Sequence, residues 1–102
     1  MATYVVLYSM TDQGAKNIDS LPERVRQART AAEQAGIKVH GWYLTEGRYD
    51  VVTVVEAPDE QTVVAGVLAI ARNGNFRSET LRAFDENEME QIIQKLTGSG
   101  GR

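Results

Sequence analysis

The chain has 102 residues with a formal net charge of −3, and 42% of its residues are hydrophobic and 25% are charged. These values predict one globular domain, and the lack of cysteine excludes disulfides and thiolate metal sites. The acidic net charge disfavours binding to nucleic acid, and no leader or membrane-length apolar run is present. We therefore expect a cytoplasmic protein with no nucleic-acid or membrane partner. We also expect no metal and no cofactor.

The first half of the chain predicts a strand, a helix and a second strand. Residues 3–9 are β-branched and aromatic, and both faces of this strand would be apolar. After a turn at residues 11–14, Ser20 and Glu23 form a capping-box pattern for a helix that Gly36 ends. Residues 37–46 predict the second strand. The helix carries one apolar stripe at spacings of three or four residues, made of Leu21, Val25, Ala28, Ala32 and Ala35.

The second half begins with a turn at Gly47, for which we expect a positive φ. This turn leads into a third strand that ends near Ala57 and is again apolar on both faces. Asp59 is the predicted cap of a second helix. The predicted buried stripe of that helix is Val63, Val64, Val67, Leu68 and Ala71.

A fourth strand is predicted at residues 76–84, with alternating polar and apolar side chains. Asp85 and Glu88 form a second capping-box pattern for a third helix. Residues 97–102 predict a flexible Gly/Ser tail, which leaves 1–96 as the folded domain. The apolar stripe of the third helix is Met89, Ile92, Ile93 and Leu96.

The element order β-α-β-β-α-β with a terminal helix is typical of the ferredoxin-like α+β fold, a four-stranded antiparallel sheet whose first and third strands are central. These two strands are the ones with two apolar faces, so one sheet face would have no layer of its own to cover it. We therefore expect a homo-oligomer, a dimer or larger, that assembles through the open sheet face.

Five sequence blocks in order carry a family resemblance over almost the whole chain. They are Tyr4–Leu7, Thr11–Gly14, Gly47–Asp50, Val55–Asp59 and Arg77–Phe84. Together they resemble the GYD-domain family of small bacterial and archaeal proteins, whose name matches the Gly, Tyr and Asp at 47, 49 and 50. The family is similar to the dimeric α+β barrel proteins. The resemblance implies the same fold and self-assembly, and it transfers no catalytic residue.

One region of the chain combines apolar and polar groups as binding clefts do. It is the mouth of the third strand, where Tyr49 and Asp50 are candidate ligand-binding residues, beside His40, Trp42 and Tyr43 on the second strand. The alternative is structural: Asp50 would stabilise the turn, His40 would be an ordinary strand residue, and the aromatic residues would lie at an oligomer interface.

The fourth strand is the most highly charged. Arg77 and Arg82 are a weaker candidate for anion binding, and cross-strand ion pairs at a solvated edge are the alternative. No nucleotide, P-loop or nucleophile motif is present.

The leading functional hypothesis is a small oligomeric binding or accessory protein, with a small molecule among its candidate ligands. A cofactor-free enzyme of the monooxygenase or isomerase type, with an enclosed pocket, is the first alternative. A structural assembly module is the second. No residue is assigned a catalytic role.

Overall fold

The computed structural model describes residues 1–98 of the chain. The secondary structure consists of four strands, four α-helices and a short 3-10 turn at Ile18–Ser20. The strands are β1 (Ala2–Met10), β2 (Lys38–Leu44), β3 (Val51–Ala57) and β4 (Phe76–Ala83). The helices are α1 (Asp12–Lys16), α2 (Leu21–Gln34), α3 (Glu60–Ala71) and α4 (Glu86–Thr97).

The four strands form one antiparallel sheet in the order β2-β3-β1-β4. This confirms the predicted ferredoxin-like arrangement, with the first and third strands in the centre. In the register of the sheet, Val6 is opposite Thr53, and Val5 is opposite Val54 on β3 and Leu81 on β4. Successive residues of each strand therefore divide between two faces.

One face of the sheet is covered by α2 and α3 and holds the core. We call it the helix face. The only polar residue of the central strands there, Thr53, donates a hydrogen bond from its hydroxyl to the Gly41 carbonyl at 2.7 Å, which satisfies the buried hydroxyl. The buried apolar residues of this face are Tyr4, Val6, Tyr8, Ile37, Val51, Val55, Ala57 and Val63.

The opposite face carries no helix layer. Its apolar residues on the central strands are Val5, Leu7, Val52 and Val54, and each is only half-buried. Together with Leu81 of β4 and Tyr43 of β2, they define what we call the open face. The helix α4 leaves the sheet after β4 and packs little against it. The stripe predicted for α4 is therefore exposed, at 43% to 79%.

The predicted cap of α2 is wrong. Ser20 closes the 3-10 turn with helical dihedrals (φ −87°, ψ 0°) and makes no side-chain cap. Its hydroxyl instead donates to the Asn17 carbonyl at 2.8 Å and accepts from Arg24 Nε at 2.7 Å. The cap fails because a capping residue needs an extended backbone, and the preceding turn holds Ser20 in a helical one.

Two other caps are confirmed. The Asp59 carboxylate accepts from the Thr62 amide at 2.8 Å and begins α3, which holds the pKa of Asp59 below its usual 3.8. Asp85 and Glu88 form the predicted capping box of α4. That helix runs through Thr97, the first residue of the predicted tail, and the tail's residues 99–102 lie outside the described part of the chain.

Two of the five positions in the predicted α3 stripe are wrong. Val63 is buried and Val67 packs against the core, whereas Val64 and Leu68 are 46% and 62% exposed. The helix is apolar nearly all round, so the periodicity does not single out one face. Ile70, outside the predicted stripe, packs against the core instead.

Candidate functional site

The GYD loop, residues 45–50, connects β2 to β3 as a closed turn. Gly47 has φ +107°, as predicted, in a region that side chains resist. The Thr45 amide donates to the Asp50 carbonyl at 2.9 Å, and the Thr45 hydroxyl donates to the Tyr49 carbonyl at 2.7 Å. Tyr49 and Asp50 thus precede β3 rather than begin it, and the loop fixes both.

Asp50 connects the GYD loop to the end of β1. Its carboxylate accepts from the Met10 amide at 2.8 Å, and its own amide donates to the Tyr8 carbonyl at 2.8 Å. A charge-assisted bond to a backbone amide is among the stronger hydrogen bonds. Through these hydrogen bonds Asp50 holds the start of β3 against the end of β1. A ligand-binding role for Asp50 stays a prediction.

Tyr49 reaches from the same loop to the opposite edge of the sheet. Its hydroxyl donates to a carboxylate oxygen of Glu79, on β4, at 2.6 Å. This hydrogen bond to the carboxylate raises the pKa of Tyr49 above 10.0, because ionisation would place two negative charges together. The Arg48 guanidinium lies 5.8 Å from the ring centre. Tyr49 therefore joins the GYD loop to β4 across the end of β1.

His40 lies far from this loop. It sits where β2 bulges between Val39 and Gly41, and its Nε2 lies 2.5 Å from a Glu56 carboxylate oxygen. Asp50 precedes the first residue of β3, and Glu56 is near its other end, about 20 Å away along an extended strand. The structure therefore does not bring His40 to Tyr49 and Asp50.

Trp42 and Tyr43 point to opposite faces of the sheet, as predicted. Tyr43, 56% exposed, is on the open face. Its ring lies over Gly41, where a Cβ would be 2.6 Å from the Tyr43 hydroxyl. Trp42 is on the helix face and stacks on Tyr8 with ring centres 5.5 Å apart. The five candidate residues therefore do not line one pocket.

The two arginines of the predicted anion site are also separated. Arg77 is opposite Ser9, on the open face, while Arg82 is opposite Tyr4, on the helix face. The Arg82 guanidinium lies 4.4 Å from the Phe84 ring centre and 3.2 Å from a Glu88 carboxylate oxygen. Arg82 thus connects β4 to α4, and an anion site shared with Arg77 would need both arginines on one face.

A concave region on the helix face contains only one of the predicted residues, Trp42. It lies between α2 and α3 and is lined there by aromatic and small side chains. One sequence signal for it existed: the predicted α2 stripe has alanine at three of its five positions. Small side chains at the inward positions of a helix leave space above the sheet that larger ones would fill.

Two classes of site find no support in the part of the chain that is described. Within residues 1–98, no helix is long and apolar enough to cross a membrane. The same residues contain no group of three or more metal-ligating side chains placed to hold an ion.

An antiparallel β2-β3-β1-β4 sheet with helices on one face and an apolar open face defines a ferredoxin-like α+β protein. The GYD domain family model matches residues 4–93, so the chain belongs to the GYD family. It is also similar to a protein of Thermus thermophilus that is named "Glutamine synthetase and cystathionine beta-lyase binding protein". The two are 38% identical over 85 residues, which cover 82% of this chain and 90% of the relative.

Proposed function

We propose that this protein is a non-catalytic binding module that pairs with a second copy of itself and binds an enzyme as its partner. The observation that carries the proposal is the extent of the match to the Thermus relative. Because 90% of that protein aligns with this chain, almost all of a protein named for binding two enzymes has a counterpart here. Glutamine synthetase and cystathionine beta-lyase are accordingly the first partners to test.

The positions of the polar candidates support binding rather than catalysis. Catalytic groups must converge within hydrogen-bond reach of one reacting atom. His40 is paired with Glu56, Asp50 with the Met10 amide, and Tyr49 with Glu79. The first pair lies at the far end of β3 from the GYD loop, which holds the other two. Each pair is placed to hold strands in register, which favours a fixed surface over a reaction centre.

The open face supports pairing with a second copy. Four strands about 4.8 Å apart and seven residues at about 3.3 Å each give a face of roughly 450 Å², and its centre is made of apolar Val5, Leu7, Val52 and Val54. A stable interface buries about 800 Å² per partner. In a two-fold dimer the same apolar patch of each subunit faces the other. The open face of a second copy is therefore a complementary apolar surface for this one.

The remaining area would come from α4. Its apolar stripe is exposed although the helix is well capped at Asp85, and an amphipathic helix is stabilised mainly by packing of its apolar face. Since α4 begins directly after β4 and packs little on its own sheet, we propose that the stripe contacts the partner copy beside the open face. The stripe residues are Met89, Ile92, Ile93 and Leu96.

Binding to purified enzymes tests the partner half of the proposal. Glutamine synthetase and cystathionine beta-lyase from the organism that encodes this chain would be immobilised separately and exposed to the protein at micromolar concentration. We expect saturable binding to at least one enzyme, and none to an unrelated enzyme of similar size and charge. Binding to neither enzyme would reject the proposed partners.

A catalytic variant series separates binding from an enzymatic role. His40→Gln and Asp50→Asn remove the two residues best suited to proton transfer, and Glu33→Gln, at an exposed position of α2, is the control. We expect His40→Gln and the control to keep enzyme binding at the wild-type level. Asp50→Asn would lower stability, because a neutral amide oxygen accepts more weakly from the Met10 amide than a carboxylate does, and it would retain binding below its melting temperature.

A further inference from the structure

A cleft lies on the helix face of the sheet, between α2 and α3. Its larger lobe has a volume of about 680 Å³, and a smaller lobe of about 220 Å³ adjoins it. Small-molecule sites in proteins generally measure about 300 to 1,000 Å³. The larger lobe alone is in this range. The two lobes share six lining residues, and therefore form one cleft: Tyr8, Ala28, Ala31, Trp42, Ala69 and Ile70.

The walls of the cleft are made largely of small residues. On α2 the lining includes Ala28, Ala31 and Ala32, followed by Ala35 at its C-cap, and α2 has no fully buried residue. On α3 it includes Gly66, where a Cβ would meet nothing within 4 Å. Glycine inside a helix costs stability compared with alanine. Gly66 therefore lowers the stability of α3 although there is room for a larger side chain. Residues that lower stability without a structural reason are expected mainly at functional sites.

The floor of the cleft is aromatic and includes one buried donor without a partner. Tyr8 stacks on Trp42 and meets Phe76 edge to face, with ring centres 5.5 and 5.8 Å apart. Tyr8 is 3% exposed. Among residues 1–98, the Trp42 Nε1 is buried and has no hydrogen-bond partner. Buried donors are almost always paired, so the floor departs from ordinary core packing beside the cleft.

One end of the smaller lobe carries a positive charge held in place by neutral groups. Arg24 lines this lobe, and its Nε donates to the Ser20 hydroxyl at 2.7 Å. Its terminal nitrogens lie beside the Asn75 side-chain amide, whose oxygen accepts from them when the amide is turned over. Among residues 1–98, no carboxylate lines this lobe. A fixed guanidinium without an acidic neighbour is suited to hold an anionic group.

We propose that the α2–α3 cleft binds an aromatic molecule carrying one anionic group, with its rings against Tyr8 and Trp42 and its anion at Arg24. The apolar walls bury the rings, and the Arg24 guanidinium binds the anionic group. The cleft is on the opposite side of the sheet from the open face, so this site does not depend on the proposed pairing with a second copy.

Fluorescence of Trp42, the single tryptophan, gives a direct test. The probes are 8-anilino-1-naphthalenesulfonate and N-phenyl-1-naphthylamine, which has the same rings without the sulfonate. We expect the sulfonate to quench Trp42 with one site per chain and to bind about tenfold more tightly than the neutral probe, as one charge-assisted hydrogen bond predicts. Equal affinities for the two probes would overturn the assignment of an anion to Arg24.

An arginine variant tests the charged end. Arg24→Gln should lower the affinity for the sulfonate about tenfold and leave the neutral probe unaffected. Arg29→Gln is the matched control, because Arg29 is an exposed arginine of the same helix that does not line the cleft. Loss of sulfonate affinity in both variants alike would show a general charge effect and contradict the proposal.

Filling the cleft tests its location. The double variant Gly66→Leu, Ala69→Leu should weaken both probes tenfold or more, while the protein melts no lower than the wild type because leucine is a better helix former than glycine. Gly66→Ala, which adds one methyl group, should retain binding. Undiminished binding to the folded double variant would place the probes elsewhere and overturn the proposal. If the double variant does not fold, the Arg24 series decides.

Discussion

The two faces of the sheet are both apolar at their centres and have different surroundings. On β1, Val6 lies under the helices and is 2% exposed, whereas its neighbour Val5 is on the open face and only half-buried. Alternation along a strand assigns residues to faces. It does not say what covers each face. In this chain the helix face has its own layer with a cleft in it, and the open face has none.

The substitution expected to lower stability most is at Gly14, at the rim of the helix face. A Cβ on Gly14 would lie 2.1 Å from the Asn75 backbone oxygen, where α1 packs on the loop before β4 and the Thr11 amide bonds Asn75 at 3.0 Å. Because backbone cannot yield as a side chain does, Gly14→Ala should cost about 3 kcal/mol or more of unfolding free energy. Urea unfolding measures it. A loss below about 1 kcal/mol would contradict this close contact.

A pair of adjacent valines compares the two faces directly. Val6→Ala should cost about 2 kcal/mol, since it leaves a cavity in a packed core. Val5→Ala should cost less in a monomer, and in a dimer its cost should depend on protein concentration, because the missing contacts are with the partner. Unfolding curves at two protein concentrations give both values. Equal costs without concentration dependence would show that the faces do not differ.

At the turn between β2 and β3, Gly47→Val should cost about 1 kcal/mol or more. The cause is backbone strain alone, since φ is +107° and an added Cβ would meet nothing within 4 Å. Gly66→Ala is a useful contrast, because that glycine also faces open space and has no positive φ. Equal melting temperatures for Gly47→Val and the wild type would reject the strain.

The smallest expected effect on stability comes from Tyr8 and occurs only at alkaline pH. Burial raises the pKa of Tyr8 to about 12 from 10.0, because the charged form loses its water. Tyr8 is neutral in both the folded and the unfolded chain below pH 10, so the unfolding free energy there is unchanged. As the pH rises from 10 through about 12, the unfolded chain loses the Tyr8 proton first, and the unfolding free energy falls. Absorbance titration of phenolate should show a step near pH 12 that Tyr8→Phe removes. Persistence of that step in the variant would contradict the assignment.

Much of the fold was predictable because it depends on short-range patterns. The strand order follows from the element order, and the positive φ at Gly47 from its place in a tight turn. The cap at Ser20 was not predictable, because the 3-10 turn before it changes its backbone. For α3, an apolar composition all round gave the periodicity no single face to indicate.

The candidate site was less predictable, since its contacts join residues that are distant in the chain. The Asp50 bond to Met10 spans 40 residues, and the Tyr49 bond to Glu79 spans 30. The bulge at His40 interrupts the regular alternation of side chains along β2. A cleft is a space between side chains and has no sequence motif, so only the small side chains of α2 indicated it.

The central claim is that the open face is closed by a second copy of the chain. Light scattering after size exclusion, at micromolar concentration, tests it most directly. We expect a mass of twice the 11.3 kDa of one chain. Val54→Asp, on the open face, should give folded monomer, while Val64→Asp, at an exposed position of α3, should remain a dimer. A wild-type protein that elutes only at 11.3 kDa would contradict the account.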